Sequence, residues 1–430
     1  MRLVGLSISL ALTFGCAASQ PSEPEVAAAV PGVESTDPDS SEVSLAERAR
    51  ELAQTFLIVD GHIDLPYRLE AGRDQAGALT EDVTNRTDKG DFDFVRAREG
   101  GLDVPFMSIY VPAKYQTDGG ARQVADDLID MVEAIATDAP EKFQMVHATS
   151  EARSILGTGK VGLALGIENG AALESNVDNV DYFFKRGVRY ITLTHSKDNA
   201  ICDSSYDDAR THGGLTDFGK NVVARMNTLG VMIDISHVSD SAFFDVMMLT
   251  RAPVIASHSS ARHFTPGFER NMSDAMIKLV GENEGVVMVN FGSTFISAKS
   301  RAHSDARRKV LRAFMDENAL EWRDPKVQAY KEDYDSKYPF VYADVKDVAD
   351  HIDHIVKLAG IETVGFGSDF DGVGDSLPTN LKDASMFPRL IEELLRRGYS
   401  ESDIEKICSG NIMRVWEKVE AVAKHLGGTQ

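Results

Sequence analysis

The chain has 430 residues, of which 43% are hydrophobic and 26% are charged, and its formal net charge is −22. This length is enough for two or three average domains, or for one elaborated barrel with a large core. The acidic balance argues against a nucleic-acid partner, because phosphate backbones are bound by basic patches.

The first residues have the features of an export signal. Arg2 precedes an apolar run, 3–14, that is too short to span a bilayer. Gly15-Cys16 stands where a bacterial lipoprotein signal carries its lipidated cysteine, so we expect a signal peptide at 1–15 and lipidation of Cys16. The small residues at 17–19 leave ordinary cleavage open as the alternative. Both alternatives predict an exported protein of the cell envelope, and a lipid would anchor it to a bacterial membrane, facing the periplasm.

Residues 16–45 are rich in Ala, Pro, Ser, Glu and Asp, a composition typical of a disordered acidic tether. After Cys16 the chain has only Cys202 and Cys408, which are too few for a cysteine-rich zinc site. Whether these two form a disulfide is left open by the sequence.

From residue 46 to 425 strand and helix patterns alternate, which is typical of parallel α/β architecture. Eight strands are predicted, at 56–59, 104–111, 161–167, 188–193, 231–235, 253–256, 285–290 and 363–366. Helices are predicted at 121–137, 180–186, 217–229, 241–249, 306–318 and 344–358. We therefore expect one (β/α)8 TIM-type barrel, with its active site at the C-terminal ends of the strands. Two long connections, 65–101 and 295–342, are interpreted as active-site loops or oligomer contacts.

Acid, base and metal-binding residues recur at the predicted strand ends, and in a barrel they would converge on one mouth. Each one alone has an ordinary explanation, such as capping a helix. Together they predict a metal site, because imidazoles with carboxylates are zinc ligands and a bridging carboxylate can hold two ions roughly 3.5–4 Å apart. The residues are His62, Asp64, Glu168, His195, His237, His258 and Asp369.

Several motifs occur in order from about residue 55 to 417: 59–66 (VDGHIDLP), 166–170 (GIENG), 189–195 (RYITLTH), 233–239 (IDISHVS), 257–262 (SHSSAR), Arg270-Asn271, 367–372 (GSDFDG) and Gly410-Asn411. In sequence and spacing they resemble the membrane (renal) dipeptidase family, here as a bacterial exported or lipoprotein-type member.

This resemblance implies a binuclear zinc dipeptidase on a (β/α)8 barrel, hydrolysing dipeptides by a metal-bridged hydroxide. His62, Asp64 and Glu168 would hold one Zn²⁺, and Glu168, His237 and His258 the other, so that Glu168 bridges the two. The family also implies tolerance of a D-residue at the C-terminal position of the dipeptide, and a homodimer.

The resemblance assigns three further roles. His195 corresponds to the histidine beside the scissile carbonyl, and both binds substrate and assists catalysis. Arg270 corresponds to the arginine that grips the C-terminal carboxylate of the substrate. Asp369 corresponds to the carboxylate that transfers the proton.

Two other functions remain open. A different barrel amidohydrolase, such as a cyclic amidase or deaminase, would typically open with a His-x-His pair and often use a carboxylated lysine, where this chain has His62/Asp64 and Glu168. A non-catalytic envelope binding protein would be expected to have lost a ligand or Asp369, and this chain has kept them all.

Overall fold

The structure, a computed structural model, describes residues 38–427. The predicted signal peptide, Cys16 and most of the predicted tether lie outside these residues. Helix α1 (Pro38–Thr55) begins within the predicted tether and overlaps its positions 38–45. No helix in the described range 38–427 is long and apolar enough to cross a membrane.

Eight parallel strands close into a barrel, which confirms the predicted (β/α)8 fold. A ninth strand, β3, pairs only with the start of β4 and lies outside the barrel. The strands are β1 (Val59–Ile63), β2 (Val104–Tyr110), β3 (Phe143–Met145), β4 (Val161–Glu168), β5 (Val188–Thr192), β6 (Met232–Asp234), β7 (Ile255–Ala256), β8 (Val286–Val289) and β9 (Val364–Phe366).

Helices surround the barrel and fill its long connections. The remaining α-helices are α2 (Leu65–Ala71), α3 (Phe94–Gly100), α4 (Tyr115–Asp118), α5 (Ala121–Asp138), α6 (Thr149–Ile155), α7 (Asp178–Lys185), α8 (Asp217–Leu229), α9 (Asp240–Leu249), α10 (Asp274–Glu282), α11 (Ser293–Ile296), α12 (Ala298–Asn318), α13 (Pro325–Lys337), α14 (Val345–Ala359), α15 (Phe387–Arg396), α16 (Glu401–Glu405) and α17 (Asn411–His425). A π-helical turn, Lys406–Gly410, leads into α17, and 3-10 turns lie at Gly170–Leu173, Arg262–Phe264, Ile361–Thr363 and Ala384–Met386.

The barrel interior is closed at the N-terminal end of the strands. Trp416 of α17 is fully buried there, and its ring packs 5.3 Å from that of Phe106 in β2. Phe106 in turn lies 5.3 Å from the ring of Tyr190 in β5. Within residues 38–427 aromatic side chains thus fill this end of the barrel, and the active sites of such barrels lie at the opposite, C-terminal ends of the strands.

The first strand differs from its predicted bounds of 56–59, since it begins at Val59 and continues through His62. The polar residues Asp60 and His62 made the segment look like the end of a strand. Asp60 is nevertheless fully buried, because its carboxylate accepts the backbone N–H groups of His62 at 2.9 Å and of Ser368 at 3.0 Å. Burial raises its pKa to about 7. The carboxylate thereby ties β1 to the segment after β9.

Cys202 and Cys408 are both buried and both free, so they do not form the disulfide that the sequence left open.

Candidate metal centre

The strand ends bring the predicted metal ligands to one mouth of the barrel. His62 is the penultimate residue of β1, and Asp64 follows that strand directly. Glu168 is the last residue of β4, His237 follows β6, and His258 follows β7. All five side chains are buried, none of these residues being more than 6% exposed.

Glu168 lies at the centre of this group. Its Oε1 is 3.0 Å from Nε2 of His237 and 3.2 Å from Nε2 of His258. Its Oε2 is 3.5 Å from Nε2 of His62, and that nitrogen is 3.4 Å from Oδ2 of Asp64. One carboxylate oxygen of Glu168 therefore lies near His237 and His258, and the other lies near His62.

The donor atoms fit divalent cations. Three groups of residues each offer three potential ligand atoms that lie within 4.8 Å of one another. They are His62/Glu168/His258, Glu168/His195/His237 and His62/Asp64/Asp369. Nε2 of His62 and Oδ1 of Asp64 are buried without a hydrogen-bond partner. Buried polar atoms are normally paired, and a bound cation would satisfy both of these.

Two of the histidines are held so that Nε2 faces the centre. Nδ1 of His62 lies 2.9 Å from the hydroxyl of Tyr190, which itself donates to the carbonyl of Gly61 at 3.1 Å. Because that hydroxyl proton is committed, Nδ1 of His62 must donate, and this contact leaves Nε2 directed at the centre. Hydrogen bonds of this kind fix the tautomer of a metal-binding histidine.

The same arrangement occurs at His258. Its Nδ1 lies 2.7 Å from Oγ of Ser257, and this hydroxyl donates to Oδ2 of Asp234 at 2.7 Å. Neither Tyr190, Ser257 nor Asp234 was singled out from the sequence as a site residue. The one available signal was a polar residue inside an apolar strand, as with Asp234 in Ile233-Asp234-Ile235.

The charges in the centre shift the pKa values of its members. Burial alone raises the pKa of Glu168, but the nearby His195 and His62 hold it well below its ordinary value. Burial lowers the pKa of His258 to about 4, and lowers that of His237 well below its ordinary value. Neutral imidazoles are the form that binds metal.

Asp369 and His195 complete the mouth. Asp369 follows β9, and its Oδ2 accepts a hydrogen bond of 2.6 Å from the side-chain amide of Asn290. Burial raises the pKa of Asp369. His195 follows β5, with Nε2 at 3.7 Å from Oε1 of Glu168, and burial lowers its pKa.

Two residues of the centre also have strained backbone conformations. His237 and Asp369 adopt left-handed φ angles of 69° and 61°. Such conformations cost on the order of 1–3 kcal/mol for non-glycine residues and occur preferentially at functional sites.

A cleft of about 550 Å³ opens onto these residues, and Asp64, Glu168, His195, His237, His258 and Asp369 all line it. Tyr206 and Arg308 also line the cleft, and neither was predicted from the sequence. Arg308 belongs to helix α12 in the long 295–342 connection.

Arg270 lies behind the wall of the cleft, 3% exposed. Its Nη1 donates to Oγ of Ser259 at 2.7 Å and its Nη2 donates to the carbonyl of His258 at 2.9 Å. Its Nε is buried without a partner. The guanidinium of Arg270 therefore lies next to His258, and its Nε–H can still donate a hydrogen bond.

Comparison with known proteins identifies the family. The membrane dipeptidase family, peptidase family M19, matches residues 46–429. The chain belongs to this family. Dipeptidase 3 of Mus musculus is 32% identical over 394 residues, covering 90% of this chain and 69% of the mouse protein.

Two solved structures extend the comparison. The probable dipeptidase PvdM from Pseudomonas aeruginosa is 27% identical, with a TM-score of 0.75 over 89% of this chain and 100% of that one. A metallopeptidase from Rhodobacter sphaeroides, liganded with a phosphinate mimic of the dipeptide L-Ala-D-Ala, is 25% identical, with a TM-score of 0.66 over 85% and 99% of the two chains. This M19 protein is thus a metallodipeptidase with candidate metal-binding clusters, as the sequence predicted.

Proposed function

We propose that this M19 protein is a dinuclear zinc dipeptidase that cleaves dipeptides with a free C-terminal carboxylate, including those with a C-terminal D-residue. The observation that carries this proposal is the position of Glu168. One of its oxygens faces His62, while the other faces His237 and His258. A carboxylate placed in this way is suited to bridge two cations.

His62, Asp64 and Glu168 would hold one Zn²⁺, and Glu168, His237 and His258 the other. Zinc is favoured over magnesium or calcium because three imidazoles contribute, whereas the harder cations prefer all-oxygen ligands. When bound, such ions lower the pKa of a shared water to near neutrality and polarise the substrate carbonyl.

Asp369 is the proposed proton carrier. Its raised pKa, caused by burial, brings a carboxylate closer to the range in which it can take a proton from the attacking water and return it to the leaving amine. The amide of Asn290 leaves Oδ1 of Asp369 as the freer oxygen, because Oδ2 already accepts from that amide at 2.6 Å. Asn290 therefore orients the carboxylate.

His195 is proposed to stabilise the negative charge that develops on the carbonyl oxygen. It lines the cleft beside Glu168, and its lowered pKa keeps the ring neutral, with one N–H available to donate. A well-placed donor of this type contributes about 3–4 kcal/mol in hydrolases.

Arg270 is proposed to bind the C-terminal carboxylate of the dipeptide. An arginine fork matches a carboxylate in shape and charge. The unpartnered Nε of Arg270 supports this role, because it is a buried donor in need of an acceptor. The phosphinate mimic of L-Ala-D-Ala bound by the Rhodobacter sphaeroides relative supports a D-residue at the C-terminal position.

A panel of L,L- and L,D-dipeptides, each as the free acid and as the amide, tests the function. We expect the zinc-loaded enzyme to cleave free acids of both series and to cleave the amides poorly. Strict preference for L,L-dipeptides would contradict the proposed D-residue activity, and equal turnover of the amides would contradict the role of Arg270. Failure to cleave any dipeptide, with zinc bound, would contradict the function itself and favour the amidohydrolase or binding-protein alternatives.

We also propose where the protein is located and how it assembles. The N-terminal sequence supports export, lipidation at Cys16 and attachment to a bacterial membrane facing the periplasm, and the resemblance to the family supports a homodimer. Metabolic labelling with a fatty acid, compared between the wild type and Cys16→Ser, tests the anchor. Sedimentation of the protein without residues 1–37 tests the dimer.

A further inference from the structure

A second group of potential metal ligands lies away from the cleft. His263, Asp274 and His354 present donor atoms that are all within 4.8 Å of one another. None of these three residues lines the cleft at the barrel mouth. We propose that they form an accessory binding site for one divalent cation of the zinc class, separate from the proposed catalytic pair.

The three side chains are already arranged around a common point. Nε2 of His354 lies 2.8 Å from Oδ1 of Asp274. The ring of His263 is stacked on that of His354, with centroids 4.4 Å apart and planes inclined by 20°. Tetrahedral zinc with bonds of about 2.0–2.2 Å holds its ligand atoms about 3.3–3.6 Å apart. Binding would therefore widen the 2.8 Å contact between His354 and Asp274 slightly and bring the ring of His263 into position by side-chain rotation.

Solvent can reach this point. His263 is exposed, and the side chain of Asp274 is 48% exposed, while that of His354 is 13% exposed. An ion could therefore enter directly from water and keep water in its remaining coordination positions. The donor set of two imidazoles and one carboxylate selects zinc-like ions, because calcium and magnesium take oxygen ligands.

The competing explanation is purely structural: the contact between His354 and Asp274 ties α14 to the start of α10, and His263 only packs against it. The state of the His263 ring favours a ligand. Within residues 38–427 the ring nitrogens of His263 make no hydrogen bond. By contrast the neighbouring His351 uses both of its ring nitrogens, with Ala261 N–H at 2.9 Å and the carbonyl of Ile296 at 3.0 Å. The ring nitrogens of His351 are thus occupied by protein groups, whereas those of His263 are available to an ion from solvent.

The proposed ligands join three elements. His263 lies in the 3-10 turn Arg262–Phe264. This turn begins four residues after His258, which is a proposed catalytic ligand. Asp274 begins α10 and His354 lies in α14. A cation held by all three would fix the segment after His258 against two outer helices. Because it binds only the folded chain, it should also stabilise that state.

The test uses the holoenzyme, dialysed against buffered free Zn²⁺, with bound zinc counted per chain. The informative variant is His263→Ala, which removes one ligand and leaves the contact between His354 and Asp274 in place. The matched control is His425→Ala, which removes an exposed histidine from the end of α17. The difference in zinc content between variants does not depend on how many ions the catalytic centre holds, so failure here is distinguishable from failure of the proposed function.

We expect the wild type and His425→Ala to bind one more Zn²⁺ per chain than His263→Ala, or to bind that ion at least about tenfold more tightly. His354→Ala should lose the same ion, and Ca²⁺ should not replace it. Equal zinc content and affinity in the wild type and His263→Ala would overturn the proposal. Thermal unfolding gives a second readout: added Zn²⁺ should raise the Tm of the wild type more than that of His263→Ala, and equal shifts would also contradict the site.

Discussion

The hydroxyl of Tyr190 lies 2.9 Å from Nδ1 of His62, on the side of the ring that faces away from Glu168. This contact sets the tautomer of a proposed zinc ligand from a strand three positions away around the barrel. Space for the ring is made by Gly166, where an added Cβ would lie 2.0 Å from the nearest ring carbon of Tyr190. The small residue and the tyrosine therefore act together to position His62.

Removing this hydroxyl should weaken metal binding. Tyr190→Phe keeps the packing against Phe106 but leaves Nδ1 of His62 without its acceptor, so we expect zinc affinity to fall about 10- to 100-fold. Competition with a chelator measures the affinity. Tyr182→Phe is the control, because it removes a hydroxyl that contacts Asp126 far from the centre. Equal affinity in the two variants would contradict the role of Tyr190.

Asp369→Asn should lower kcat without releasing metal. The amide is close in size but cannot accept the proton of the attacking water, and loss of a general base typically costs about 10²- to 10⁴-fold in rate. Zinc content should remain that of the wild type, which separates this role from that of a ligand. Asn290→Ala should give a smaller loss of kcat, because it only releases the carboxylate from its orientation. Unchanged turnover in Asp369→Asn would remove the proton-transfer role.

Glycine is required at position 372 because two carboxylates lie too close to it to leave room for a side chain. A Cβ at this position would lie 2.2 Å from Oδ2 of Asp64 and 2.3 Å from Oδ1 of Asp369. We expect Gly372→Ala to displace both carboxylates, lowering zinc content and activity together. Gly365→Ala is the control, because its added Cβ would meet its nearest neighbour at an ordinary 3.4 Å. Activity and zinc content equal to those of the control would show that the carboxylates are free to move.

Much of this arrangement was predictable from sequence, because strand-end position alone directs side chains to one mouth in a barrel. That rule brought together His62, Glu168 and His258 correctly. It could not identify Tyr190 or Arg308, because their positions depend on contacts between elements distant in sequence. The first strand was misplaced for a related reason: Asp60 looks like a loop residue until Ser368 supplies its hydrogen bond.

The long connections were likewise only partly predictable. Helix α12 was expected at 306–318 but begins eight residues earlier, at Ala298, because Ser297 caps it by accepting the N–H of Ser300. Helix α2 was missed altogether within the polar 65–101 segment. It is only seven residues long and is defined by Pro66 in its first turn and by burial of Leu65 and Leu69. Short helices of this kind are stabilised by tertiary packing, not by local propensity.

The folded state should become less stable at low pH because of the buried His351. Burial lowers its pKa to about 3 from an ordinary 6.5, so between these values the unfolded chain binds a proton that the folded chain does not. His351 therefore does not reduce the free energy of unfolding above pH 6.5. As the pH falls below this value, the free energy of unfolding decreases by up to about 1.4 kcal/mol per pH unit. Urea unfolding in chelator from pH 7 to pH 4 should give a flatter pH dependence for His351→Gln than for the wild type. His425→Gln should keep the wild-type slope, and a wild-type slope in His351→Gln would contradict the assignment.

The most direct test of the paired-ion centre is to titrate metal-free enzyme with Zn²⁺ while measuring hydrolysis of a dipeptide. We expect full activity to require two ions per chain at the cluster around Glu168, and Glu168→Ala to lose high-affinity binding of both. Full activity with a single ion, or with none, would contradict it.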